Sequence, residues 1–217
     1  MAKRSSRFQV DVAQVKELLQ RYDCPAPYHE VRTRFLGNIA SPDMSASPLR
    51  VVEGLWGGQL PPFDTMDDAN ELIAALVNGL WNALTLHQKR TEPFRLVRVQ
   101  GDPTPETLAR LGRVRQEEID GFVEGLFHGS EKIDLPDKAS RALDALAQIR
   151  AMMAGTVDLV KRGIQPEEGP QLASTFKHLR ELQRKIEHEM HVVVLECTRA
   201  RRAAMGTSDG RGPAMHG

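Results

Sequence analysis

Leu55-Trp56-Gly57-Gly58-Gln59-Leu60-Pro61-Pro62-Phe63-Asp64-Thr65-Met66-Asp67-Asp68-Ala69-Asn70, followed by Glu71 to Arg98, is the stretch that decides the fold. A Trp and a Phe flank a Gly/Pro turn, and Asp64 or Thr65 then caps a helix whose first turn carries Asp67 and Asp68. Anions there face the positive end of the helix dipole. Leu72, Ile73, Leu76, Leu80 and Leu84 recur at three and four residues and predict one buried stripe running to about Lys89 or Arg90. These residues describe a scaffold; they are not a set of groups arranged to react.

The same period runs through nearly the whole chain. Helices are predicted over about Val12 to Tyr22 (capped by Asp11), about Tyr28 to Ala40, Pro48 to Gly57-Gly58, about Thr104-Pro105 to Gly129, Pro136 to about Arg162 and about Pro170 to Ala204. Ser47-Pro48 places a capping side chain before a Pro at the first helical position. Gly112, Gly121 and Gly125 each weaken their helix by about 1 kcal/mol relative to Ala. They imply either close approach of another helix or a break. Phe94-Arg95-Leu96-Val97-Arg98-Val99 is the one candidate strand, short and set between Pro93 and Gly101. The fold class is therefore all-α, a multi-helix bundle with a long C-terminal helix. Residues 1–165 read as the helical domain, 166–204 as the long helix and 205–217 as a disordered tail. A weak internal repeat relates about 28–90 to 115–162, with Phe35-Leu36-Gly37-Asn38-Ile39 echoed by Phe122-Val123-Glu124-Gly125-Leu126.

Twenty-nine Lys and Arg balance 29 Asp and Glu, so no net charge draws the chain to nucleic acid or to an anionic membrane. Nucleic acid is accordingly disfavoured as a partner. Neither Ala74-Ala75-Leu76-Val77 nor Val192-Val193-Val194-Leu195 approaches the roughly 20 residues of a bilayer span. The basic, polar Met1 to Val10 lacks the apolar core of a secretory signal. A soluble cytoplasmic protein is expected, with Cys24 and Cys197 as free thiols.

The order Phe35-Leu36, Trp56-Gly57, Pro62-Phe63, Asp67-Asp68-Ala69, Leu76 and Asn82, then Pro93-Phe94, resembles the YecA/YgfB-like family of bacterial proteins. Gly121-Phe122-Val123 with Gly125-Leu126 resembles that family's second Gly-Phe helix. The likeness covers about Tyr28 to Phe127. Arg34 stands where the family has its first Gly. The resemblance implies an all-helical fold and carries over no catalytic residues. Some members end in a SecC-type Cys/His zinc motif; Cys197 stands alone in that region, so no such site and no cofactor are expected.

Candidate chemistry falls into four groups. Glu187, His188 and His191 share a helical turn and are the candidates for a metal, although the spacing fits neither the metalloprotease nor the di-iron pattern. Glu117, Asp120 and Glu124 line up as carboxylates near Arg110, Arg113 and Arg115. Arg199, Arg201 and Arg202 end the long helix and suit phosphate or the helix dipole. Trp56, Phe63 and Trp81 form either core or a pocket. The long helix carries the seam Phe176, Leu179, Leu182, Ile186, Met190 and Val193. The function expected is a non-enzymatic interaction protein, either a homo-oligomer formed through that seam or the partner of another protein. The alternatives are a metal-dependent enzyme using helix-borne Glu and His, and a transcription-linked or nucleic-acid-associated factor using the Arg-rich helix end.

Overall fold

The computed structural model describes residues 10–43, 46–130, 132–163 and 170–208; of the disordered tail expected over 205–217, residues 205–208 instead continue the long helix, and the rest lies outside the described residues. Among the described residues there is helix and no strand. The elements are α1 (Val12–Arg21), α2 (Tyr28–Ala40), α3 (Pro48–Leu55), α4 (Met66–Ile73), a π-helical stretch (Ala74–Trp81), α5 (Asn82–Leu84), a 3-10 turn (Thr85–Gln88), α6 (Pro105–Phe127), α7 (Asp137–Lys161) and α8 (Pro170–Ser208). The expected caps form except at α3, where Ser47 holds the N-cap position but its side chain makes no capping hydrogen bond. Asp11 accepts from the amides of Ala13 and Gln14, Thr104 from that of Thr107, and Thr65 and Asp68 close a reciprocal capping box.

The helix beginning at Met66 differs from the uniform α-helix of the sequence reading, because its middle is π-helical. Leu72, Leu76, Leu80 and Leu84 are all buried and spaced by four. On a helix of 3.6 residues per turn, steps of four drift by about 40° each. A wider turn opposes that drift and keeps all four facing the core. Ile73, at the start of the widened region, is only half-buried.

The centre of the molecule is the crossing of α2 and α6, and glycine makes it possible. A Cβ on Gly37 would overlap the Phe122 carbonyl oxygen, and one on Gly125 would overlap that of Arg34. At Gly121 a Cβ would sit 2.7 Å from the Glu30 carbonyl oxygen. Gly112 does the same toward α7, against Val157 and Met153. The three glycines of α6 thus mark close approach, and the helix runs through them unbroken. The two echoed segments of the internal repeat meet at this crossing, with Phe35 and Phe122 both fully buried.

The long helix belongs to the same core. Along α8, Phe176, Leu179, Ile186, Met190 and Val193 are buried and Leu182 is half-buried, packed on α7, α2 and α6 of their own chain. The seam expected to meet a second copy is therefore occupied within the monomer. An amphipathic helix of this length buries its stripe on whatever apolar face is nearest, and α7 supplies one. Both Val193 and Val194 are fully covered, as the apolar wrap at Val192 to Leu195 requires.

The segment after Pro93 is extended, with Phe94 and Leu96 inward and Arg95 and Arg98 outward, yet it pairs with no strand. Its backbone groups take side-chain partners instead. Glu187 accepts the Leu96 amide at 3.1 Å and Glu118 the Val97 amide at 2.9 Å. Arg115 donates to the Val97 carbonyl oxygen at 2.7 Å, Arg32 to that of Arg95, and Arg110 to that of Gln100. Alternation had suggested a strand, and three helices, α2, α6 and α8, supply its missing ladder. Buried backbone polar groups must pair with something.

Candidate functional site

Each candidate group of the sequence has a definite place. Glu187 is buried, holds the Leu96 amide, and receives Arg95 at 2.6 Å and Gln183 at 3.3 Å. His188 is exposed. Both ring nitrogens of His191 are covered, and burial pushes its pKa down against an opposing contact with the Arg90 backbone. The three line a small cleft of about 200 Å³ with Pro93, Phe94 and Arg184. Among the described residues no three His, Cys, Asp or Glu side chains gather as a metal site.

The carboxylates of α6 do not converge. Glu117 meets His29 at 2.7 Å, Asp120 takes Arg150 in a two-pronged pair, and Glu124 takes Arg34. Glu117 and Glu124 tie α6 to α2, and Asp120 ties it to α7. Arg34, placed where the family resemblance had a Gly, is buried and also reaches Glu30 and the Gly54 carbonyl oxygen. Burial raises the Glu30 carboxyl in spite of Arg34. A cleft of about 370 Å³ opens beside this knot, walled by Arg50, Glu53 and His128.

Of the arginines ending α8, Arg199 pairs with Glu196, and Arg201 donates to the Ser41 carbonyl oxygen. Burial lowers the Arg201 pKa. Only Arg202 of the three points into solvent without a partner among the described residues. Trp56 donates to the Tyr22 carbonyl oxygen at 2.7 Å and Trp81 to Asn38 Oδ1 at 3.1 Å. Phe63 stands edge-on to Tyr22. All three aromatics pack against the core. Both cysteines are free thiols, Cys24 half-buried and Cys197 fully buried, with burial pushing Cys197 up to about 12.

Three features escaped the sequence reading. The first is the fully buried pair of Arg115 and Glu118, three residues apart on α6, which lay among many exposed charges of the same kind. Burial raises the Glu118 carboxyl even beside Arg115. The second is an open groove of about 530 Å³ between α6 and α7, lined by the half-buried Val123, Phe127, Leu135 and Leu143. Its rim carries Asp120, Glu124 and Asp144 against the single cation Arg150. The third is a basic groove of about 490 Å³ along α8, beside Gly101 and Pro103. A period count finds the faces of single helices; all three arise where two elements meet.

No family model, curated protein or solved structure matches the chain. No helix among the described residues is long and apolar enough to cross a membrane.

Proposed function

We propose that this chain is a non-enzymatic helical interaction protein whose contact surface is the groove between α6 and α7, and that its occupant is an amphipathic helix of another protein with a basic rim. The observation that carries the reading is the groove itself. It leaves Val123, Phe127, Leu135 and Leu143 partly open to water around about 530 Å³, and open apolar clefts of this kind take apolar ligands or helices. Asp120 already holds Arg150 and Glu124 already holds Arg34, so Asp144 is the carboxylate at the rim that favours Lys or Arg on the incoming segment. The resemblance to YecA/YgfB-like proteins is part of the proposal. It draws support from Phe35, Gly37, Phe122 and Gly125 meeting at one helix crossing.

The test uses the full chain, a labelled Leu/Lys amphipathic helical peptide and its Leu/Glu counterpart. The Leu/Lys peptide is expected to bind and the Leu/Glu peptide to fail. Leu143→Glu is expected to weaken binding by at least tenfold, with the melting curve checked in parallel. Equal binding of both peptides, or an unchanged Leu143→Glu variant, overturns the reading. Light scattering that finds a dimer dissolved by Leu143→Glu assigns the groove to a second copy instead.

A further inference from the structure

The exposed side of α8 carries Lys177, Arg180, Arg184 and His188 on successive turns. From Lys177 to His188 this row spans about 16 Å at 1.5 Å per residue. Among the described residues, Lys177, Arg180 and Arg184 have neither a carboxylate within ion-pair distance nor a hydrogen-bond partner. The other arginines facing the core or crossing between helices are engaged: Arg34, Arg95, Arg115 and Arg150 each hold an acid. Arg184 sits between two clefts. One, of about 490 Å³, also holds Lys177 and Arg180, and the other, of about 200 Å³, holds Arg95 and His188. Together they make one basic channel between α8 and the extended segment after Pro93. Glu181 is the acid that shares the larger cleft, while Glu187 in the smaller one is already bound to Arg95 and the Leu96 amide.

The wall opposite α8 is fixed in place. Glu118, Glu187, Arg115 and Arg110 hold the backbone from Leu96 to Gln100. A Cβ on Gly101 would lie 2.8 Å from the Arg110 guanidinium, so the chain there is held tight against the first turns of α6. A channel held this way needs little ordering when a ligand arrives.

We propose that this channel binds the phosphate backbone of a nucleic acid. Guanidinium groups are suited to phosphate, donating two bonds from one plane. The cations stand in a row, as a strand with one charge per nucleotide requires. A protein partner takes most of its affinity from aromatic or aliphatic anchors seated in pockets. Here the aromatic side chains of the channel are already sealed, with Phe176 7% and Phe94 0% exposed, and only the small Ala173, Pro93 and Pro103 are open, so no anchor pocket competes with charge on this surface. The formal net charge of the whole chain is zero, and the attraction is local to this face.

The experiment is fluorescence anisotropy of the full chain with labelled 20-nucleotide single-stranded DNA, single-stranded RNA and duplex DNA, across salt. Binding is expected at low salt and to weaken steeply as salt rises. Lys177→Gln/Arg180→Gln/Arg184→Gln changes three exposed side chains and is expected to lower the log–log salt slope by about 2 to 3. Arg199→Gln/Arg202→Gln, at the far end of the same helix, is expected to leave the slope unchanged. Whichever strand type binds best identifies the source of the phosphates. The proposal is overturned if none binds at low salt, if the triple variant keeps the wild-type slope, or if the double variant loses as much. It is also overturned if poly-glutamate competes as well as nucleic acid at equal charge, which assigns the channel to an acidic protein. These variants leave the α6–α7 groove intact, so this result and the peptide test fail independently.

Discussion

Replacing Arg115 and Glu118 together separates two ideas of what a buried ion pair does. Both side chains are fully covered. In the common case, exchanging such a pair for apolar residues of similar size is neutral or stabilises by about 1–4 kcal/mol, because two desolvated charges disappear. Here the pair also serves the backbone: Glu118 accepts the Val97 amide and Arg115 donates to the Val97 carbonyl oxygen. Arg115→Met/Glu118→Leu strands both groups, at about 1–3 kcal/mol each. Taking midpoints, a loss of about 4 set against a gain of about 2.5 leaves the double variant about 1.5 kcal/mol less stable than wild type. Arg115→Met alone leaves the Glu118 carboxylate and Gln183 without their donor. That variant is expected to lose about 3–5 kcal/mol, a large part of the 5–15 kcal/mol typical of a domain. Urea unfolding followed by circular dichroism gives the differences, and hydrogen exchange at the Val97 amide gives the local effect. The pH dependence carries a sign of its own. Burial already holds the Glu118 pKa above the ordinary carboxylate range, and removing Arg115 raises it further. A raised folded value means stability is full below the ordinary pKa of about 4.3 and falls as pH rises through the folded value. The deficit of Arg115→Met is therefore expected to narrow as pH falls from 7 toward 5. A double variant as stable as wild type, with Val97 still protected from exchange, refutes the reasoning.

Gly125→Ala is expected to destabilise by at least about 1–3 kcal/mol, because its Cβ meets backbone at Arg34 rather than a movable side chain. Gly155→Ala in α7, where a Cβ meets open space, is expected to stabilise by a few tenths to 1 kcal/mol; thermal melts compare the two. Thiol titration with a colorimetric disulfide reagent is expected to label Cys24 in the native chain and Cys197 only after unfolding, because Cys197 is sealed and its pKa stands near 12. Simultaneous labelling of both contradicts the placement. Thr65→Ala removes the hydroxyl half of a capping box, which accepts the Asp68 amide, and keeps the residue 65 amide that donates to Asp68; a loss of about 1 kcal/mol in urea unfolding is the expected outcome.

What the sequence makes legible follows from the range over which each interaction acts. A cap such as Thr65 with Asp68 acts over three residues, and a stripe such as Leu172, Phe176 and Leu179 over one turn, so both can be read directly from spacing. Which surface a stripe meets is a different question. The α8 seam has the pattern of a surface for a second helix, and that pattern is the same whether the helix comes from another chain or from α7. What decides between them is the packing itself, in which α8 lies along α7 of its own chain. Phe94 to Val99 has the same ambiguity: alternation reports that one side faces a core, and it does not say what satisfies the backbone. In this protein the answer is Glu118, Arg115 and Glu187, which lie about 20 and 90 residues downstream. Charged residues in a helical period read as solvated by default, and the two that are fully sealed look no different in sequence from Glu117 or Arg113. Their role appears only when an extended segment is laid across them. The basic channel has the same origin, since its cations are exposed residues of α8 and its opposite wall is that same segment. The segment therefore links the fold to the proposed chemistry: the carboxylates and guanidinium that replace its missing strand partners also hold it at the distance from α8 that leaves Arg184 facing an open groove. Loosening it, as Arg115→Met does, is expected to weaken nucleic-acid binding even though Arg115 itself touches no ligand, while Gly125→Ala, acting at the far crossing of α2 and α6, is expected to reduce stability and leave that affinity in place.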